Sequence, residues 1–147
     1  MGADRFADRA FYLFDTFCGL VPEQLTEEER ITTRITAERY PNVLDSVRRN
    51  FSRHPFVRIV PGAVPDTLSE FHGERIAFLH IDMNAVVPEC AAFETLWPKL
   101  SVGAPVIFDD YGFPFHAPQR RALDVVAKRL GTQIMMLPTC QGLTWKI

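Results

Sequence analysis

Two stretches decide the fold: Ile76-Ala77-Phe78-Leu79-His80-Ile81-Asp82 and Val106-Ile107-Phe108-Asp109-Asp110, apolar runs that each stop at acid, within the segment Arg75–Gly112. Runs without polar alternation are what strands buried on both faces look like. Between them, Glu89–Leu100 carries Ala92, Phe93, Leu96, Trp97 and Leu100 at helical spacing, one apolar stripe on a helix. The spacing predicts a βαβ unit. A right-handed crossover sets its two strands parallel, so both end on the same edge of the sheet. That geometry brings Asp82 together with Asp109 and Asp110 at the carboxyl edge, where open α/β folds bind ligands. Three carboxylates in one crevice repel one another unless a cation or protons intervene, and a hard divalent metal is the economical solution.

The flanking sequence extends the pattern. Ala10–Phe14 reads as a buried strand ending at Asp15, preceded by a short polar, frayed Met1–Arg9. Val21–Arg39 opens with Pro22 and holds Thr26-Glu27-Glu28-Glu29, a helix start, but Thr32, Thr33 and Thr36 make it a partly helical excursion. Pro41–Arg53 is expected to be a helix with Pro41 in its first turn and Val43, Leu44, Val47 and Phe51 on one face. Val57–Val60 is a short strand closed by Pro61-Gly62, and Ala63–Phe71 a brief helix around Leu68. Pro118–Leu130 is a helix with Ala122, Leu123, Val126, Ala127 and Leu130 inward, ended by Gly131. Gln133–Leu137 and Leu143–Ile147 read as a terminal antiparallel hairpin. The expected whole is one α/β domain, a three-layer sandwich on a mostly parallel sheet.

The 147 residues carry a net charge of −2, with 47% apolar and 23% charged side chains, the composition of an ordinary soluble globular domain. No lysine or arginine cluster suits nucleic acid or an anionic membrane; Arg48-Arg49 and Arg120-Arg121 read as solvated helix faces. No apolar run approaches the roughly 18 residues of a spanning helix, and no secretory leader pattern is present. Cys18, Cys90 and Cys140 are widely spaced without a CxxC motif, which predicts a reduced, cytoplasmic setting.

Several residues carry two meanings. Asp15, at a strand tip, either accepts hydrogen bonds from a ribose or caps its own turn. Asn84 is either a ligand in the site or the cap of the helix entering at Glu89. His80 reads as a satisfied core histidine before a general base. His116, in the loop Tyr111-Gly112-Phe113-Pro114-Phe115-His116, is either in reach of a substrate or on the loop surface. Tyr111 and Phe113 either shape an acceptor pocket or pack the loop. No nucleophile elbow supports a Ser/His/Asp triad.

Taken together, Ile81-Asp82-Met83-Asn84, Leu96-Trp97-Pro98-Lys99-Leu100, Ile107-Phe108-Asp109-Asp110-Tyr111-Gly112, Leu137-Pro138-Thr139-Cys140-Gln141-Gly142-Leu143 and Asp15-Thr16-Phe17-Cys18-Gly19-Leu20 resemble class I S-adenosylmethionine-dependent methyltransferases, nearest the macrocin O-methyltransferase group. The resemblance covers Phe11 to Ile147. It implies a Rossmann-like sandwich and methyl transfer from S-adenosylmethionine to a hydroxyl of a sugar, polyol or other small natural product. It implies a divalent metal, usually magnesium, on Asp82, Asp109 and Asp110, with Asp82 and His116 as catalytic candidates. Cofactor contacts fall to Asp15, with Phe17 and Gly62 beside it, and a homo-oligomer is possible.

The same resemblance exposes a departure. Class I methyltransferases put a glycine-rich turn after their first strand, yet no GxG occurs here and Ala10–Phe14 matches the family's second strand. In the usual order 3-2-1-4-5-7-6 the lacking strand is central. The expectation is therefore an amino-terminally truncated domain in which Ala10–Phe14 and Ile76–Ile81 either close up or leave their inner edges unpaired. Cys140 stands where the family often has glycine. Two other functions would use the chain differently: a metal-dependent hydrolase on the same three acids, or a non-catalytic remnant whose open sheet position takes another chain.

Overall fold

A computed structural model describes residues 8–32 and 40–147. The expected fraying of Met1–Arg9 lies largely outside those residues, as does the part of the Val21–Arg39 excursion beyond Thr32. In chain order the elements are β1 (Phe11–Asp15), α1 (Glu27–Thr32), α2 (Leu44–Phe51), β2 (Val57–Pro61), β3 (Leu79–Ile81), α3 (Val86–Leu96), β4 (Pro105–Phe108), α4 (Ala117–Arg129), β5 (Met135–Met136) and β6 (Gly142–Trp145). They fall into two compact units, Met1–Gly19 with Thr36–Gly73, and Leu20–Ile35 with Glu74–Ile147.

In the first unit β1 and β2 pair in parallel, from Phe11 opposite Val57 to Asp15 opposite Pro61. The Gly62 amide donates to the Asp15 carbonyl at 2.9 Å and continues the ladder past the strand ends. Tyr12 stacks on Phe14 and meets Phe71 edge-on at 5.0 Å, so the β-face buries aromatic surface. Helix α2 turns Leu44, Val47 and Phe51 inward to half-buried positions. It starts three residues later than expected. The Asn42 carboxamide oxygen accepts the Leu44 N–H at 3.1 Å in a turn of its own, and Val43 stands at the helix boundary, which leaves Pro41 outside the helix. Ser52 closes the other end by donating to the Arg49 carbonyl.

The second unit is a four-stranded sheet ordered β3-β4-β6-β5. β3 and β4 are parallel, Leu79 opposite Val106 and Ile81 opposite Phe108, while β6 runs antiparallel to both β4 and β5. Its core is Phe93, Phe108, Ile81, Val106, Leu123 and Val126, all essentially excluded from solvent. Phe93 meets Phe108 edge-to-face at 4.9 Å and Trp97 at 5.4 Å, tying α3 to the sheet. Each such ring contributes about 1.5–3 kcal/mol by burial alone. α3 packs on α4, and an ion pair joins Glu94 to Arg129. Gly131, at φ 73°, terminates α4 in the left-handed conformation that favours glycine.

Within the first unit the order is β1-β2, and within the second it is β3-β4-β6-β5. Among the described residues β1 pairs only with β2, and β3 only with β4. Of the two expected outcomes, the inner edges are thus unpaired.

That edge position corrects two sequence expectations. Ile76–Ile81 is not one strand buried on both faces: the ladder holds only Leu79–Ile81, and Ile76 makes an isolated bridge to Leu100. Phe78 is 48% exposed and His80 is exposed beside it, the rings 6.5 Å apart, so His80 is not a core histidine. A strand bordered on one side only cannot bury side chains through a neighbour it does not have. The first strand of the hairpin also shrinks, from Gln133–Leu137 to two exposed methionines, Met135 and Met136. Among the described residues no helix is long and apolar enough to cross a membrane.

Candidate functional site

The acids converge through backbone pairing. β3 delivers Asp82 and β4 delivers Asp109, and the last bond of the ladder, Asp109 N–H to the Ile81 carbonyl at 2.9 Å, holds the two strand tips side by side. Asp110 follows at φ 53°, a left-handed residue that reverses the chain, and its carbonyl accepts the Phe113 N–H at 2.9 Å. One carboxylate oxygen from each of Asp82, Asp109 and Asp110 lies within 4.8 Å of the others. Asp82 is exposed and the other two are half-buried, so the cluster opens to solvent on one side.

Neighbouring side chains orient each acid. Gln141 Nε2, from the loop between β5 and β6, donates to Asp109 Oδ1 at 2.9 Å. Asn84 Nδ2 donates to Asp82 Oδ1 at 3.2 Å. Asn84 is therefore tied to the site, and the residue at the N-terminal boundary of α3 is Ala85. His116 closes a 3-10 turn, Pro114–His116, and lies with Nε2 3.7 Å from Asp110 Oδ2. Its Nδ1 is 2.9 Å from the buried Gln119 amide nitrogen, so Nε2 is the ring nitrogen turned toward the acids. Tyr111 is buried and its hydroxyl donates to Asp124, whereas Phe113 is exposed.

Beneath the acids lies a layer that the sequence pattern does not disclose. Glu89, one turn into α3, is only 4% exposed and accepts the Met83 N–H at 3.3 Å. Burial, reinforced by the charges of Asp82 and Glu29, pushes its carboxyl up to about 8, against the opposing pull of the Met83 and Asn84 amides. Glu29 is fully buried. Its Oε2 accepts from the Thr26 amide and hydroxyl, with Thr26 Oγ1 accepting the Glu29 N–H in return, a capping box for α1. Its Oε1 accepts the Val86 N–H at 2.7 Å, satisfying the first turn of α3. Thr26 and Glu29 stand at capping-box spacing in the sequence; nothing there announces the second bond to Val86.

In the first unit, Asp15, Phe17 and Gly62 gather at the adjoining ends of β1 and β2. Asp15 Oδ1 accepts the Phe17 N–H at 2.7 Å, so Asp15 does cap its own turn. Phe17 is buried at φ 56°. Gly62 has φ 138°, and a Cβ there would come within 2.6 Å of Thr67 Cγ2, so a side chain is excluded.

Residues 1–133 match the family described as macrocin-O-methyltransferase (TylF). The chain belongs to this family. Its relatives include mycinamicin III 3''-O-methyltransferase of Micromonospora griseorubida, 30% identical over 117 residues, which are 73% of this chain and 46% of that protein. Demethyldecarbamoylnovobiocin O-methyltransferase of Streptomyces niveus is 31% identical over 112 residues, 71% of this chain and 42% of its own. The solved structure of the O-methyltransferase NovP superposes with a TM-score of 0.78 at 25% identity, covering 97% of this chain and 62% of that one. This macrocin-O-methyltransferase family chain thus spans less than half the length of the curated relatives it matches.

The residues fit the metal that the resemblance implied. An all-oxygen set of three carboxylates is the donor chemistry of magnesium, calcium or manganese and unsuited to softer metals.

Proposed function

We propose that this chain carries the metal and acceptor side of an S-adenosylmethionine-dependent O-methyltransferase whose substrate is a small-molecule hydroxyl on a sugar, polyol or other natural product. The observation that carries this is the meeting of Asp82, Asp109 and Asp110 within 4.8 Å at the carboxyl edge of the sheet. Membership in the macrocin-O-methyltransferase family supports the cofactor, and the relatives that methylate mycinamicin III and demethyldecarbamoylnovobiocin support the acceptor class. Asp82, Asp109 and Asp110 would hold magnesium, which would supply positive charge that lowers the pKa of an acceptor hydroxyl. Asp109 and Asp82 are kept in place by Gln141 and Asn84. With Nδ1 accepting from the Gln119 amide, His116 turns an Nε2–H toward Asp110 and orients that carboxylate, while the exposed carboxylate of Asp82 takes the hydroxyl proton. S-adenosylmethionine would supply the methyl group, its sulfur leaving as a neutral thioether. Within the first unit, Asp15, Phe17 and Gly62 would hold the cofactor, with Asp15 as the ribose acceptor.

Calorimetric titration with S-adenosylmethionine, with and without magnesium, tests the proposal. Heat from the cofactor that grows with magnesium supports it. Magnesium binding without cofactor binding would shift the assignment to hydrolysis, and silence from both would remove catalysis altogether. The unpaired edge of β3 favours one second reading, in which an extended segment of a partner, a second copy of this chain included, adds to that strand. A sedimentation measurement decides whether the chain self-associates. The three unpaired thiols suit a reducing, cytoplasmic setting.

A further inference from the structure

We infer that Glu89 is a positioning residue for the cation site: from beneath the sheet edge it shapes the turn that aims Asp82 at Asp109 and Asp110. The inference rests on the metal assignment above. Asp82 sits at the start of a tight turn, Asp82-Met83-Asn84, in which Asn84 takes a left-handed φ of 55°. That conformation directs the Met83 and Asn84 amides inward, where each needs an acceptor. Glu89 accepts both, the first at 3.3 Å.

A carboxyl group is a costly choice for a site only 4% exposed, because its oxygens need hydrogen-bond partners that a leucine would not. Glu89 also lies on the apolar stripe of α3, in line with Ala92, Phe93 and Leu96, where packing alone asks for a hydrocarbon. The partners that offset the burial are the two amides immediately after the metal ligand. The platform is rigid. Phe93 locks α3 into the core with no exposed surface, and Glu29 fastens its first turn through Val86. On the opposite tip, Asp109 is fixed to Ile81 by its own backbone. With both ends set, the reach of the Glu89 side chain determines where the Asp82 carboxylate stands.

Reach and charge can be separated. Glu89→Gln keeps the length and an acceptor oxygen but cannot ionise, whereas Glu89→Asp keeps an ionisable carboxyl and is one methylene short. The experiment measures Mn2+ affinity of the full chain by electron paramagnetic resonance, with Mg2+ in competition, beside the unfolding midpoint of each variant. Positioning by reach predicts that Glu89→Gln binds Mn2+ like the wild type. It predicts that Glu89→Asp loses the roughly 10–100-fold that removal of an outer-layer partner costs. The reverse ranking, with Asp tight and Gln weak, would overturn the inference in favour of bare charge. Equal Mn2+ affinity in all three proteins, whatever their midpoints, would reduce Glu89 to a structural role and leave the metal site standing. A wild type that binds no Mn2+ removes the metal assignment itself and this inference with it.

Discussion

Gln141 Nε2 donates to Asp109 Oδ1 at 2.9 Å, so a loop near the end of the chain holds an acid from the middle of the sheet. The loop is itself braced, since the Leu137 N–H reaches the Gln141 carbonyl and the Gly112 N–H reaches that of Cys140. Removing the amide leaves Asp109 free to rotate. Gln141→Ala is expected to weaken Mn2+ binding about tenfold or more with little change in the unfolding midpoint. Titration followed by electron paramagnetic resonance reads the first, and thermal unfolding the second.

Asp109→Asn removes one negative ligand and keeps the shape. If the carboxylates hold the metal that lowers the acceptor's pKa, methyl transfer drops by about 100-fold or more, several kcal/mol of lost charge stabilisation. Binding of S-adenosylmethionine, which belongs to the other unit in this assignment, stays measurable. Steady-state kinetics and calorimetry on one preparation check both halves.

Cys140 has φ 67°, a conformation that costs an ordinary L-residue about 1–2 kcal/mol. Cys140→Gly removes that strain but gives back part of the gain as chain entropy in the unfolded state, about 0.4–1 kcal/mol. A net stabilisation of about 0.5–1 kcal/mol in urea unfolding is expected from the difference. A loss of stability would show that the half-buried sulfur contributes more than the backbone releases.

Glu89 makes stability depend on pH with a definite sign. Its carboxyl is pushed from 4.5 up to about 8 in the fold, so between those values the native state holds a proton that the unfolded chain has released. Stability is then full below about pH 4.5, declines as pH rises, and lacks this contribution once pH passes about 8. Across that range the loss is of the order of a few kcal/mol, since each pH unit between the two values costs about 1.4 kcal/mol. Urea midpoints of the metal-free protein, followed from mildly acidic to mildly alkaline buffer, should fall for the wild type and stay flatter for Glu89→Gln.

Much of this was legible in the letters because apolar runs with acidic ends report sheet edges directly. Asp82, Asp109 and Asp110 could be placed together from two strands and a crossover, and Leu123, Val126 and Ala127 declared the buried face of α4 by spacing alone. Phe78 and His80 misled for a physical reason: an apolar run records what a strand is made of and not whether a neighbour lies beside it. Glu89 escaped notice because glutamate is rarely buried, although its place in line with Ala92, Phe93 and Leu96 was visible. Gln141 left no such trace. A turn composition such as Pro138-Thr139-Cys140-Gln141-Gly142 says that the chain reverses and says nothing about which side chain reaches back.

The bare margin of β3 has a practical side. Among the described residues no strand pairs with the outer side of Leu79–Ile81, which lies next to a half-uncovered phenyl ring at Phe78, the arrangement that recruits stray extended peptide. Self-association in concentrated solution is expected to begin at that margin. Phe78→Lys is the simplest remedy for clumping.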